Sequence, residues 1–335
     1  RDLAPGPYVL HAWKRGHAAL VLPLALRRGK PLHIRRPLLP AGRIPPGFEY
    51  VPGGEARLGG DEEAPSSLPH TEVPVEGFLM ARHPVTAAAW VEFINALATV
   101  DPNRARSRVP RERGTGAPLW EPDEDGLYRL ESQRFEGGAW HPDWPIFGLS
   151  YRDAISYCKW MRRETGARVR LPTEHEWEWA ARGPSGFLFP WGRRFDATFC
   201  KMKLSRAGEP GPEPIGSFPT DRSPFGICDM AGGVHEWCRS TFDQERGMLV
   251  LRGGAWTSTA DRCRLAARLG ELHLTVSLAV AGLLLGAGAL RLVARAGGPA
   301  VRRGQRGRGG KQSLEEGGED DGAVTGSAIV DLGSP

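Results

Sequence analysis

Apolar and polar positions alternate in short runs from the first residues of the chain. Pro7 to Trp13, His17 to Leu26 and Leu32 to Leu39 read as three strands, separated by turns at Lys14-Arg15-Gly16 and Arg28-Gly29-Lys30. Proline and glycine from Leu39 to Gly47 mark a linker. Beyond it Phe48 to Gly54 opens a hairpin, and Val73 to Met80 alternates as one further strand. The period then changes to helical. Trp90, Phe93, Ile94 and Leu97 fall on one face of a helix over 86–98, for which Thr86 is the N-cap. A second helix is predicted over 151–164, with Ser150 as cap, Asp153 in the first turn and Arg162 and Arg163 in the last. A third runs from Glu174 to Arg182, where Thr173 and Glu176 have capping-box spacing. Between the first two helices, 100–144 reads as a surface insert, with a hairpin turn at Asp125-Gly126. Residues 193–256 show no sustained period and are expected to be irregular.

Composition narrows the class. With 44 glycines and 29 prolines the chain is rich in turns, which argues against a helical bundle. Its net charge of +5 is spread through mixed acidic and basic residues, with no aromatic-laced basic stripe, so a nucleic-acid partner is not expected. Five cysteines, an odd number without C-x-x-C spacing, fit reduced thiols in a cytoplasmic setting better than a disulfide framework. Cys158 lies on an apolar helix face and reads as packing. The chain begins at Arg1, in the middle of a strand-like pattern and with no signal peptide, so a further domain is expected upstream.

Ordered motifs fill the central part. They are Pro145-Ile-Phe-Gly-Leu-Ser150-Tyr-Arg-Asp-Ala154 and Arg170-Leu-Pro-Thr173-Glu-His-Glu176-Trp-Glu178-Trp-Ala-Ala-Arg182-Gly183, then Pro190-Trp191-Gly192. Phe225-Gly-Ile-Cys-Asp229-Met-Ala-Gly-Gly-Val-His235-Glu236-Trp237 and Leu251-Arg-Gly-Gly-Ala255-Trp256 follow. Together they resemble the signatures of the formylglycine-generating-enzyme (sulfatase-modifying-factor) family. The resemblance implies an α+β fold, compact, mixed and poor in regular secondary structure, also described as C-type-lectin-like. Residues 1–42 are similar to the small β-sandwich (PEGA-like) modules of bacterial multidomain proteins. The expected division is that module at 1–42, the family domain at 43–268, an apolar segment at 269–300 and a disordered tail at 301–335.

The same resemblance implies where chemistry belongs. The family holds copper(I) between two cysteines that follow the third signature. In this chain those positions are Ser258 and Cys263, and Ala255 replaces the signature serine. A hydroxyl is a poor ligand for soft copper(I), so copper and formylglycine-generating activity are not expected. What is left is a ligand-binding role for the old groove, with Trp256, Ser258 and Arg262 as binding residues and a peptide, glycan or protein as ligand. The alternative is an oxidoreductase that modifies a cysteine or other residue through Cys263, a lone thiol between Arg262 and Arg264. The family also binds calcium, and Glu236 matches one ligand position. Gly233 stands where a second ligand, an asparagine, is usual, and calcium normally takes six or more oxygens. The two His-Glu-Trp triplets, at His175 and His235, read as scaffold. Leu274 to Leu290 is uncharged and at the short end for a membrane span, so membrane anchoring is the alternative to a cytoplasmic location. Domains of this kind occur at the C-terminal end of bacterial receptor-like Ser/Thr kinases, after PEGA-like segments, so a kinase or sensor domain is the expected upstream partner.

Overall fold

The structure, a computed structural model, describes residues 3–30, 32–272, 291–295 and 327–332. Strands β1 (Gly6–Ala12) and β2 (Leu20–Leu26) form the predicted antiparallel pair, with Tyr8 opposite Leu24, and β3 is Leu32–Pro37. Leu20, Leu22, Leu24, Ile34 and Leu38 make a small core of their own.

The main body starts at β4 (Phe48–Val51) and β5 (Gly54–Leu58). The run expected as one strand over 73–80 is broken at Glu76-Gly77 into β6 (Thr71–Val75) and β7 (Phe78–Ala81), and a Cβ on Gly77 would lie 2.8 Å from the Tyr50 hydroxyl. Helix α1 (Ala87–Ala98) follows, capped by Thr86 Oγ1, which accepts from Ala89 N. Trp90, Phe93 and Ile94 are buried on its inner face.

In the insert, α2 (Pro102–Arg106) and a small hairpin, β8 (Arg134–Phe135) with β9 (Gly138–Ala139), were not foreseen. At Asp125-Gly126 only the turn forms. Asp123 Oδ1 accepts from Asp125 N and Leu127 N, and no ladder extends from it.

Helix α3 (Tyr151–Thr165) has a complete capping box between Ser150 and Asp153 and ends on Gly166 at φ 70°. It buries Tyr157, stacked on Trp90 with ring centroids 5.2 Å apart. Then come β10 (Val169–Arg170) and α4 (Glu174–Arg182), the latter with the predicted Thr173–Glu176 capping box. The stretch expected to be irregular contains a hairpin, β11 (Glu236–Asp243) and β12 (Met248–Arg252), joined by β13 (Leu269–Leu272) into a three-stranded sheet.

Strand β14 (Val293–Arg295) sits between β10 and β7 in a four-stranded sheet ordered β10-β14-β7-β4. The boundary drawn at 268 therefore falls inside the folded unit, since β13 and β14 both belong to its sheets. Strand β15 (Ser327–Leu332) pairs antiparallel with β3, so the stretch 301–335 is not wholly without structure. The apolar run 274–290 lies outside the described residues. Among the described residues no helix is long and apolar enough to cross a membrane.

Candidate functional site

The second signature is a loop wound around one carboxylate. Buried Asp221 accepts from the backbone of Met230, Ala231 and Gly232. Asp229, at φ 57°, turns the chain there, and its Oδ2 contacts His83 Nδ1 at 2.8 Å and Gly216 N at 2.9 Å. The loop delivers His235 and Glu236 into the core, where each is at most 3% exposed.

Glu236 is saturated. Its Oε2 accepts from Trp177 Nε1 and Arg291 Nε, both at 2.9 Å, and its Oε1 accepts from Arg291 Nη2 at 2.7 Å. The rest of the Arg291 fork donates to the carbonyls of Ala81, Arg82, Cys228 and Asp229. Six oxygens thus surround a guanidinium. Calcium, which the resemblance allows at Glu236, does not fit there, because a covalently held cation already uses the oxygens that a hard metal would need. Among the described residues no three His, Cys, Asp or Glu side chains group as a metal site.

The third signature turns at Gly253, φ 73°, and passes close to the core at Gly254. A Cβ on Gly254 would lie 2.7 Å from Ala231 O and 2.8 Å from Cys263 Sγ, so only glycine fits. Ser258 is fully buried and closes a turn, its Oγ accepting from Ala255 N at 2.9 Å. Cys263, also fully buried, ends a short 3-10 turn over 260–263.

Cys263 is not a lone thiol. Cys200 lies beside it, and both share an apolar cluster with Phe189 and Met202. That contact, then burial, pushes the Cys200 thiol far above its ordinary range. No local spacing signals this partner, which lies in a stretch without periodicity. Arg264, expected to act on Cys263, is committed to Asp61 through two 2.8 Å bonds and to Glu63. Copper(I) does not fit at Ser258 and Cys263, where one donor is a hydrogen-bonded hydroxyl and both residues are sealed from solvent.

The open feature is a pocket of about 230 Å³ beside Trp256. Trp256, Phe147, Phe135 and Leu119 supply its apolar wall, with Phe147 and Trp256 edge to face at 4.7 Å. Arg111, Arg113 and Arg134 stand around it. All three arginines come from the insert read as surface loop, so that segment is a wall of the site. Of the predicted binding residues the pocket takes Trp256, while Ser258 and Arg262 are not among its lining. The Trp256 indole N–H is buried and has no acceptor among the described residues.

His235 lies behind this region. Its Nδ1 is 2.6 Å from Gly253 O, so the ring donates there, and Nε2 has no partner among the described residues. Burial, reinforced by the charges of Arg262 and Arg113, lowers its pKa to about 4 against the opposing effect of the Gly253 bond.

Fold, loop and signatures together define an α+β domain of the sulfatase-modifying kind. The family described as sulfatase-modifying factor enzyme 1-like domain matches residues 40–275. The chain belongs to that family. It is 30% identical over 254 residues to mouse (Mus musculus) inactive C-alpha-formylglycine-generating enzyme 2, covering 68% of this chain and 79% of that one. It is 28% identical over 244 residues to the serine/threonine-protein kinase Pkn1 of Chlamydia trachomatis, covering 65% of this chain and 34% of the kinase. Among solved structures, PvdO from Pseudomonas aeruginosa shares the fold, with a TM-score of 0.54 at 22% identity, over 74% of this chain and 94% of PvdO.

Proposed function

We propose that this chain is a non-catalytic member of the family, a ligand- or protein-binding module within a longer bacterial signalling protein. The observation that carries the reading is the contrast between two neighbouring places. The positions that hold metal in the family are a capped hydroxyl and a thiol, both with no exposure, whereas the adjacent pocket at Trp256 is open. Chemistry needs a reacting group that substrate can reach, while recognition needs a lined cavity, and of these two places one is closed and the other is lined and open. Similarity to a relative named as inactive, and to a kinase of which the chain matches about a third, supports the same reading.

One observation favours a second reading, an oxidoreductase acting through Cys263. The contact of Cys200 with Cys263 supplies the second sulfur that Ser258 does not. Incubation of the purified protein with copper(I), oxygen and a cysteine-containing peptide separates the two. No formylglycine by mass spectrometry is expected. Aldehyde formation that disappears in both Cys263→Ala and Cys200→Ala would establish the oxidase instead.

A further inference from the structure

The pocket at Trp256 carries more than an apolar wall. Two strong donors beside it lack a negative partner. Arg111, half-buried, spends its Nη1 on Gly116 O at 2.9 Å and its Nη2 on Arg106 O at 3.0 Å, so its charge is held in place by neutral carbonyls only. Arg134 likewise donates to Glu131 O and Gln133 O. The third arginine, Arg113, is neutralised by Glu271 at 2.7 Å.

Glu112 and Glu136 stand on the same rim, but both are exposed, and Glu112 accepts from Thr115 Oγ1. Solvent screens exposed carboxylates far more than it screens a half-buried guanidinium.

Size limits the occupant. A volume of about 230 Å³ is below that of drug-sized sites, roughly 300–1,000 Å³, and matches one aromatic ring with a short substituent. Phe135 and Leu119, backed by the edge-to-face pair of Phe147 and Trp256, leave a wall against which a flat apolar body packs.

We propose that this pocket binds a small carboxylic acid with an aromatic body, the ring against Phe135, Leu119 and Phe147 and the carboxylate toward Arg111. The proposal rests on the recognition reading above and names its ligand class.

The test is calorimetric titration of the full chain with phenylacetate, its neutral isostere phenylacetamide, and phenethylamine. Phenylacetate is expected to bind about tenfold or more tightly than the amide, the difference one charge-assisted hydrogen bond makes. The amine is expected not to bind. Arg111→Gln keeps neutral donors and removes the charge, and Arg111→Met keeps a stem and removes the charge. Each is expected to erase most of the preference for acid over amide while leaving the urea midpoint near that of the parent chain. Should either variant unfold, the Trp256 indole proton in the parent's NMR spectrum must still shift on adding phenylacetate.

A dipeptide ending in free phenylalanine tests the other source of the same chemistry. If it binds more tightly than phenylacetate, the ligand is a peptide terminus and not a free acid, and the proposal falls in that respect. Amide binding as strong as acid binding overturns the carboxylate assignment and leaves the recognition role intact. Binding by none of the probes overturns the proposal. Formylglycine production would overturn the recognition reading itself.

Discussion

Arg291 and Glu236 are 55 positions apart in the chain and form a two-pronged ion pair, Nη2 to Oε1 at 2.7 Å and Nε to Oε2 at 2.9 Å, with neither side chain more than 1% exposed. Removing one partner of such a pair leaves a buried charge without compensation, a loss of about 3–5 kcal/mol. Arg291→Ala is therefore expected to lower stability by that amount in urea unfolding. The double variant Arg291→Met with Glu236→Gln should recover part of it, because no naked charge remains. Equal losses in the single and double variants would mean that the pair does not act as a unit.

The same guanidinium fills the place at Glu236 where calcium would sit, so calcium is expected not to stabilise the fold through that residue. The thermal midpoint should stay within about 1 °C between excess chelator and millimolar calcium, since no open oxygen cage exists at Glu236. A rise of several degrees on adding calcium would reveal a hard-cation site elsewhere.

Acid should weaken the protein through His235. Its folded pKa, about 4, lies below the unfolded value of 6.5, so the unfolded chain binds the proton first and stability falls as pH drops from about 6.5 toward 4. The full effect is on the order of 3 kcal/mol. His235→Gln should flatten this part of the pH–stability curve in urea titrations at stepped pH. An unchanged slope would assign the acid sensitivity to other groups.

The buried carboxylate of Glu178 ties three segments together. It accepts from Gly59 N at 2.8 Å, from Arg182 Nη1 at 2.6 Å and from Arg252 Nη2. Glu178→Leu strands two guanidiniums and is expected to cost several kcal/mol, or to prevent folding. Expression yield and near-ultraviolet circular dichroism check this. Retention of a native-like spectrum with less than about 1 kcal/mol lost would mean that water replaces the carboxylate.

The two capping boxes give a smaller and cleaner measurement. Ser150→Ala and Thr173→Ala each remove one side-chain acceptor, from Asp153 N and Glu176 N respectively. About 1 kcal/mol is expected for each in chemical denaturation.

What could be read from the sequence was local. Thr86, Ser150 and Thr173 announce helix starts because a cap needs only residues within one turn, and all three begin the helices predicted. The hairpin of β11 and β12 was missed because Glu236, Trp237 and Cys238 are buried in succession and the ladder shifts register between Trp237 and Asp243, so no period-two pattern survives. Asp125-Gly126 misled in the other direction, since a turn signal says nothing about whether flanking strands exist. The site was legible only at Trp256. Cys200 beside Cys263, Arg291 against Glu236, and the insert arginines around the pocket are long-range pairings, set by how distant segments pack and invisible to any short window.

The position of β14 also constrains how the protein is made. A strand near residue 293 lies between strands that leave the ribosome more than a hundred residues earlier, β10 at 169–170 and β7 at 78–81. Until it emerges, that sheet lacks its middle and Glu236 lacks its counter-charge. Synthesis must therefore run nearly through the domain before it can close, and until then the edges of β7 and β10 stay unpaired on that side.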